Sequence, residues 1–293
     1  MNDHRSPQEH IGADGERVSS SAPPIPLPAS SSSQIARFII LAMTIAILTM
    51  NVWLVARLMQ QQSEATKEHL FWVLCQPGGT PGERANAFRR LVAEGNKEWR
   101  SAQLSELDLS GSALPNAELK GAGFQRANLA RANLAGAKLS KASLELADLT
   151  GADLSEADLS ETQFYRAALG GAKFRRATLR AALLQEVKGE NVDLMVADLS
   201  DADCLMANLT GGNLAGANLT GTRLEAAILK GANLSLARLN GANLKDADFT
   251  NSNWWHARGL TTSQVEMLKK KFAPSENAPP ALKEDYQKWA GGK

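Results

Sequence analysis

The side chains able to do chemistry are few and poorly placed for it. The four histidines are His4, His10, His69 and His256. No Ser/His/Asp or Cys/His arrangement accompanies them, and no phosphate-binding loop or zinc spacing is present. The two cysteines, Cys75 and Cys204, are too few for a disulfide framework and have no metal-ligand spacing. They read as one thiol in a loop or helix and one buried thiol that acts as a small hydrophobe. Asp148, Asp153, Asp158, Asp193, Asp198 and Asp203 form the richest titratable set. Paired carboxylates can serve as acid and base, but these recur at a fixed five-residue step, which marks them as turn residues of a repeat. No catalytic, cofactor-binding or metal-binding residue is assigned, and no cofactor is expected.

The element that positions those aspartates runs from Ser101 to Trp255, 31 blocks of five residues without a frame slip. The fourth position is Leu or Phe in 28 blocks, the exceptions being Gly189, Cys204 and Trp254, and the second is Ala in 23. A period of five suits neither standard element. On a helix, five residues advance about 500°, so successive leucines drift by about 140°. On a continuous strand an odd period sends them to opposite faces. Within one block, positions two and four share a side of an extended chain. All the alanines and leucines can therefore share one interior only if the backbone turns once per block. Gly opens 10 of the blocks, supplying conformations that other residues resist.

The blocks RANLA at 126–130, GADLS at 151–155, GANLT at 216–220 and GANLK at 241–245 resemble the A-(D/N)-L-x-x motif of the pentapeptide-repeat family. The resemblance implies an all-β solenoid, a right-handed quadrilateral β-helix with four blocks per coil, and hence nearly eight coils over residues 101–258. At about 4.8 Å between stacked strands the stack would be about 35–40 Å long.

The flanks differ in kind. Residues 1–37 are rich in Ser, Pro and charge and read as a disordered tail. Phe38 to Ala56 is a run of 19 residues without charge, bounded by Arg37 and Arg57, and about 20 helical residues span a bilayer core. With Trp53 near one end, residues 38–57 are expected to form an uncleaved single-pass transmembrane helix, with the bacterial inner membrane as its setting and the side of the large domain left open. Residues 58–100 are expected to be a helical linker and N-terminal cap, with a break at Pro77-Gly78-Gly79 and a second helix over Glu83–Ala93. Residues 259–293 are expected to cap the other end, with a helix over Ser263–Lys271 begun by Thr261 or Thr262, and a few more helical turns around Leu282 to Trp289.

Lys+Arg number 32 and Asp+Glu 31, a balance that argues against nucleic-acid binding. Three surface features stand out. The basic run Lys173, Arg175, Arg176 and Arg180 could meet an acidic partner. With four blocks per coil, however, Lys173 falls between Asp153 and Asp193, and Arg176 beside Glu156, as ordinary cross-coil pairs. Around residues 186–195, Gly189 replaces a central leucine while Val187 and Val192 replace alanines, which predicts local repacking, a bulge or a small cavity. Leu146, Tyr165, Leu183, Leu205, Met206 and Ile228 occupy outward positions near one corner of successive coils, a candidate surface for an unidentified protein partner or a second copy. The expected function is that of a membrane-anchored scaffold without catalytic activity. The alternative implied by the resemblance is a DNA-mimicking topoisomerase-binding protein. It requires a strongly acidic rod, whereas residues 101–255 hold 18 acidic and 15 basic residues, a net of −3.

Overall fold

The structure is a computed structural model describing residues 31–75, 79–95 and 98–292. Of the expected disordered tail over residues 1–37, residues 1–30 lie outside the described residues, as does the break at Pro77-Gly78, whereas residues 31–37 are not a tail but the first turns of the long apolar helix. The chain divides into two compact units, Met1–Gln62 and Ser63–Lys293. Helix α1 spans Ser31–Cys75, 45 residues. Its apolar part is long and apolar enough to cross a membrane, and it buries nothing within the structure. The guanidinium of Arg57 lies 5.1 Å from the centre of the Trp53 ring, a cation over an aromatic face at the end of the uncharged run.

The second unit is built on the five-residue blocks. Parallel bridges join each third-position residue to its counterpart four blocks on: Asp108 to Asn128, Asn128 to Asp148, and so through Arg238 to Arg258. Four bridged columns therefore recur per coil, as expected of a four-sided β-helix. The bridges stay isolated and do not merge into longer strands, because the chain turns before a second residue of the same side can pair.

The turn explains what occupies each position. The first residue of every block has positive φ, from +53° at Ala181 and Ala226 to +70° at Gly221. In most blocks the second-position N–H closes the turn onto the fourth-position carbonyl of the block before, as in Ser112 to Leu109 at 3.1 Å. Positive φ at the third residue of such a turn is the type II signature, where glycine carries no strain. The fourth-position N–H donates to a carbonyl of the following coil, as Leu129 does to Asp148 at 2.7 Å. The first-position N–H also donates forward, while the third-position N–H donates to the preceding coil, as Asp148 does to Ala127. The fifth-position N–H has no backbone partner in this scheme. It donates instead to the third-position carboxylate or carboxamide of its own block: Thr150 to Asp148, Ser155 to Asp153, Ser160 to Asp158, Met195 to Asp193, Ser200 to Asp198 and Leu205 to Asp203. Asp and Asn are thus favoured at position three because they satisfy an otherwise orphaned amide.

Positions two and four point inward throughout. The fourth-position leucines, such as Leu129, Leu134 and Leu139, are fully buried, and so is Trp254. Each such leucine contributes about 1.5–3 kcal/mol of burial. Where Thr replaces Ala at position two, its hydroxyl finds a backbone acceptor: Thr162 donates to the Leu139 carbonyl at 2.8 Å and Thr222 to that of Leu199 at 2.7 Å. The repeat begins one block earlier than Ser101. Trp99 is buried at a fourth position, and its N–H donates to the Glu118 carbonyl at 2.8 Å.

Two lids close the stack. At the N-terminal end, helix α2 spans Pro81–Ala93 and starts with a capping box between Thr80 and Glu83. Its buried Phe88 sits 4.4 Å from Trp99, ring centre to ring centre, and Leu70 and Leu74 of α1 join that cluster. At the other end a turn of 3-10 helix at Trp254–His256 leads to α3, Thr262–Phe272, with a second capping box between Thr261 and Gln264. Helix α4, Pro280–Gly291, follows. Trp254, Trp255, Tyr286 and Trp289 pack edge to face over the last coil.

Candidate functional site

With positions two and four committed to the interior, function is left to positions one, three and five, which form columns along the outside. Among the described residues no cluster of His, Cys, Asp and Glu could hold a metal ion. Cys204 occupies a fourth position, and burial pushes its thiol up to about 12, which leaves it protonated and unreactive. Of the sequence-predicted aspartates, those at position three are engaged by the fifth-position amides. His256 Nε2 lies 2.7 Å from Asp285 Oδ2, which also accepts from Trp255 Nε1 at 2.9 Å. Among the described residues no Ser, Thr or Cys hydrogen-bonds to this pair, and its effect is to pin α4 onto the last coil.

The basic run resolves into rungs between coils. Arg175 pairs with Asp193, and Arg176 Nε lies 3.9 Å from Glu156. Lys173 bridges through its backbone to both Asp153 and Asp193. Burial raises the Asp153 carboxyl, but hydrogen bonds from Ser155 outweigh it and hold the carboxyl low, with the charges of Lys173 and Arg175 adding a little. Arg180 sits on the same stack, its carbonyl accepting from the Glu161 N–H. Two of the four cations are therefore paired with carboxylates one coil away, and Lys173 acts on Asp153 only at longer range. Exposed pairs of this type contribute little, about 0–1 kcal/mol each.

The irregular coil encloses a cavity of about 10 Å³ lined by Leu184, Val187, Val192, Leu194, Cys204 and Leu209. Leu209 and Val192 reach into the room left at Gly189, their Cδ2 and Cγ1 lying 3.2 and 3.7 Å from where a Cβ would stand. Gly212 makes space in turn, since a Cβ there would come within 3.4 Å of Val192 Cγ1. The remaining void is about the size of one water and offers it no polar partner, so it is a packing defect and not a ligand site.

The predicted apolar corner is in register but interrupted. Leu146 (46% exposed), Leu183 (38%) and Met206 (56%) are exposed, while Tyr165, Leu205 and Ile228 are half-buried. Between Leu146 and Met206, in the same column, stand Arg166 and Glu186, paired at 2.7 Å. Arg166 also covers the Tyr165 ring at 4.9 Å. Beyond Leu205, Glu225 is held by Arg223 and Lys245. The corner therefore mixes apolar steps with an ionic rung. The diagonally opposite corner, which sequence reasoning missed, carries Val196 and Leu236, each 56% exposed, beside Met195, with Gly216 between them in the column. The signal was available, since Val196 and Leu236 stand eight blocks apart, two coils on one column.

A model of the family described as pentapeptide repeats, in eight copies, matches residues 102–140, 127–164, 142–180 and 217–253. A search of curated proteins gives no match. Among solved structures, the chain is similar to a pentapeptide repeat protein of the Arabidopsis thaliana thylakoid lumen, with 36% identity over 36% of this chain and 69% of that one and a TM-score of 0.32. HetL of the cyanobacterium Nostoc, involved in heterocyst differentiation regulation, is 28% identical over 59% of this chain and 95% of that one, with a TM-score of 0.21. QnrB1, a plasmid-mediated fluoroquinolone resistance protein, is 16% identical over 64% and 94%, with a TM-score of 0.42.

Proposed function

The chain belongs to the pentapeptide-repeat family, and from that premise we propose that it is a membrane-anchored, non-catalytic scaffold whose β-helix displays an interaction surface. The observation that carries this reading is the alignment of Leu146, Leu183 and Met206 along one corner of a stack whose interior is filled by its own side chains. Exposed apolar groups that share a corner, even with the Arg166–Glu186 rung between them, favour a contact site. In this reading residues 38–57 anchor the protein, 58–100 connect and close one end, 101–258 wind to the right and display the surface, and 259–293 close the other end. The uncharged run from Phe38 to Ala56 and the Trp53–Arg57 pair at its end support the anchoring.

The test is the double substitution Leu183→Asp and Leu205→Asp in the full-length protein, solubilised in detergent. Two charges on the corner should lower association at least tenfold, read by sedimentation and by affinity capture, while the melting profile of the β-helix stays unchanged. Association that survives both aspartates overturns the assignment of this corner.

A further inference from the structure

We propose that α1 pairs in parallel with α1 of a second copy through Asn51; the inference rests on the membrane-anchoring reading above. Asn51 is the one carboxamide within the uncharged run from Phe38 to Ala56. It is exposed on the helix, and its side chain makes no hydrogen bond to a described residue. The two threonines of the same run differ. Thr44 Oγ1 donates to the Leu41 carbonyl at 2.8 Å and Thr49 Oγ1 to that of Ala46 at 2.9 Å, so each satisfies itself within its own helix.

Asn51 lies four residues beyond the middle of the run, about 6 Å from its centre, and its short side chain cannot reach an aqueous interface as Lys or Arg would. Hydrocarbon offers an amide nothing, and a polar group left without a partner there is costly. An amide both donates and accepts, so an identical amide related by a two-fold axis is a complementary partner. Thr44, Ile47, Asn51, Leu54 and Leu58 follow a 3–4–3–4 spacing, which places them on one seam of a helix pair, with Asn51 at the type of position where a single asparagine fixes register. Two copies inserted in the same sense bring their Asn51 side chains to the same depth. An antiparallel pair would hold them about 12 Å apart, out of hydrogen-bond reach.

The experiment uses full-length protein carrying Leu183→Asp and Leu205→Asp, so that corner contacts do not contribute. Donor- and acceptor-labelled pools are reconstituted together in phosphatidylcholine vesicles, and energy transfer is followed as lipid is added. Flotation of the same vesicles reports anchoring separately. Asn51→Leu should weaken association about three- to tenfold, and Asn51→Gln, which keeps the amide, should restore most of it. If Asn51→Leu floats with the vesicles and associates as before, the pairing is overturned while the anchor stands. If the parent protein does not float, the anchor fails and the pairing falls with it.

Discussion

The two ends of the coil stack are closed by different chemistry, and the direction of the backbone hydrogen bonds accounts for it. Each block sends two N–H groups toward the following coil, from positions one and four, and one toward the preceding coil, from position three. The first coil is therefore left with an excess of open carbonyls, and the last with an excess of open N–H groups. The N-terminal lid answers with cationic donors: Arg84 Nη2 reaches the Gln103 carbonyl at 2.6 Å, and Arg89 reaches that of Asp108. Both targets are third-position carbonyls, and so the arginines sit where a preceding coil would have donated. At the C-terminal end the Leu234 N–H finds the side-chain oxygen of Asn253 at 2.6 Å in place of a backbone carbonyl. The carbonyl of Ala242 takes Gln264 Nε2 at 3.0 Å, and aromatic rings supply the rest of the cover. A parallel solenoid thus has two unlike ends, and one lid design cannot serve both.

The largest effect that could break this comparison comes from the apolar parts of the lids. Phe88→Ala and Trp254→Ala should each cost about 3–5 kcal/mol in denaturant unfolding. Amide exchange should show the loosened coils next to residue 99 in the first case and next to residue 249 in the second. A loss spread evenly along the stack would mean that the ends are not independent. Smaller effects separate the polar designs. Replacing Arg84 and Arg89 by Met should cost about 1–2 kcal/mol each, and Gln264→Met about 0.5–1.5 kcal/mol, with faster exchange confined to the matching end. Equal costs would argue that the charge on the N-terminal donors adds nothing.

The smallest expected effect is acid sensitivity of the C-terminal lid. Burial raises the Asp285 carboxyl, but hydrogen bonds from Trp255 and His256 and the charges of His256 and Lys288 outweigh it and hold it below its ordinary value of 3.8. A folded-state value below the unfolded one means that the contribution is complete above about pH 4 and fades as the pH falls through the lower folded value. Tryptophan fluorescence should report loosening around Trp254 and Trp255 in that acid range, and Asp285→Asn should remove this pH dependence.

Much of the interior was legible from spacing alone. A five-residue period admits one inward arrangement, and Leu129, Leu134 and Leu139 occupy it. The excess at Val187 and Val192 beside Gly189 announced the small void. The third-position aspartates were readable as turn residues, but their task of holding the fifth-position amide was not, because that need appears only once every other N–H is accounted for. Arg84 and Arg89 were silent for a similar reason, since their partners are backbone carbonyls, which carry no residue identity. The outer corner was readable in register but not in exposure. Whether Tyr165 or Ile228 stands clear of its neighbours depends on the long side chains beside it, such as Arg166 over the Tyr165 ring.

The four-block spacing of the bridges also limits how a chain of this kind can lengthen or shorten. Loss of a single residue would turn every later leucine outward. Loss of one block would preserve the interior but carry each downstream column to the next side, dividing any surface that crosses the cut. Only whole coils can be added or removed with both interior and columns intact, so the surface of such a protein can be extended by duplication without being redrawn.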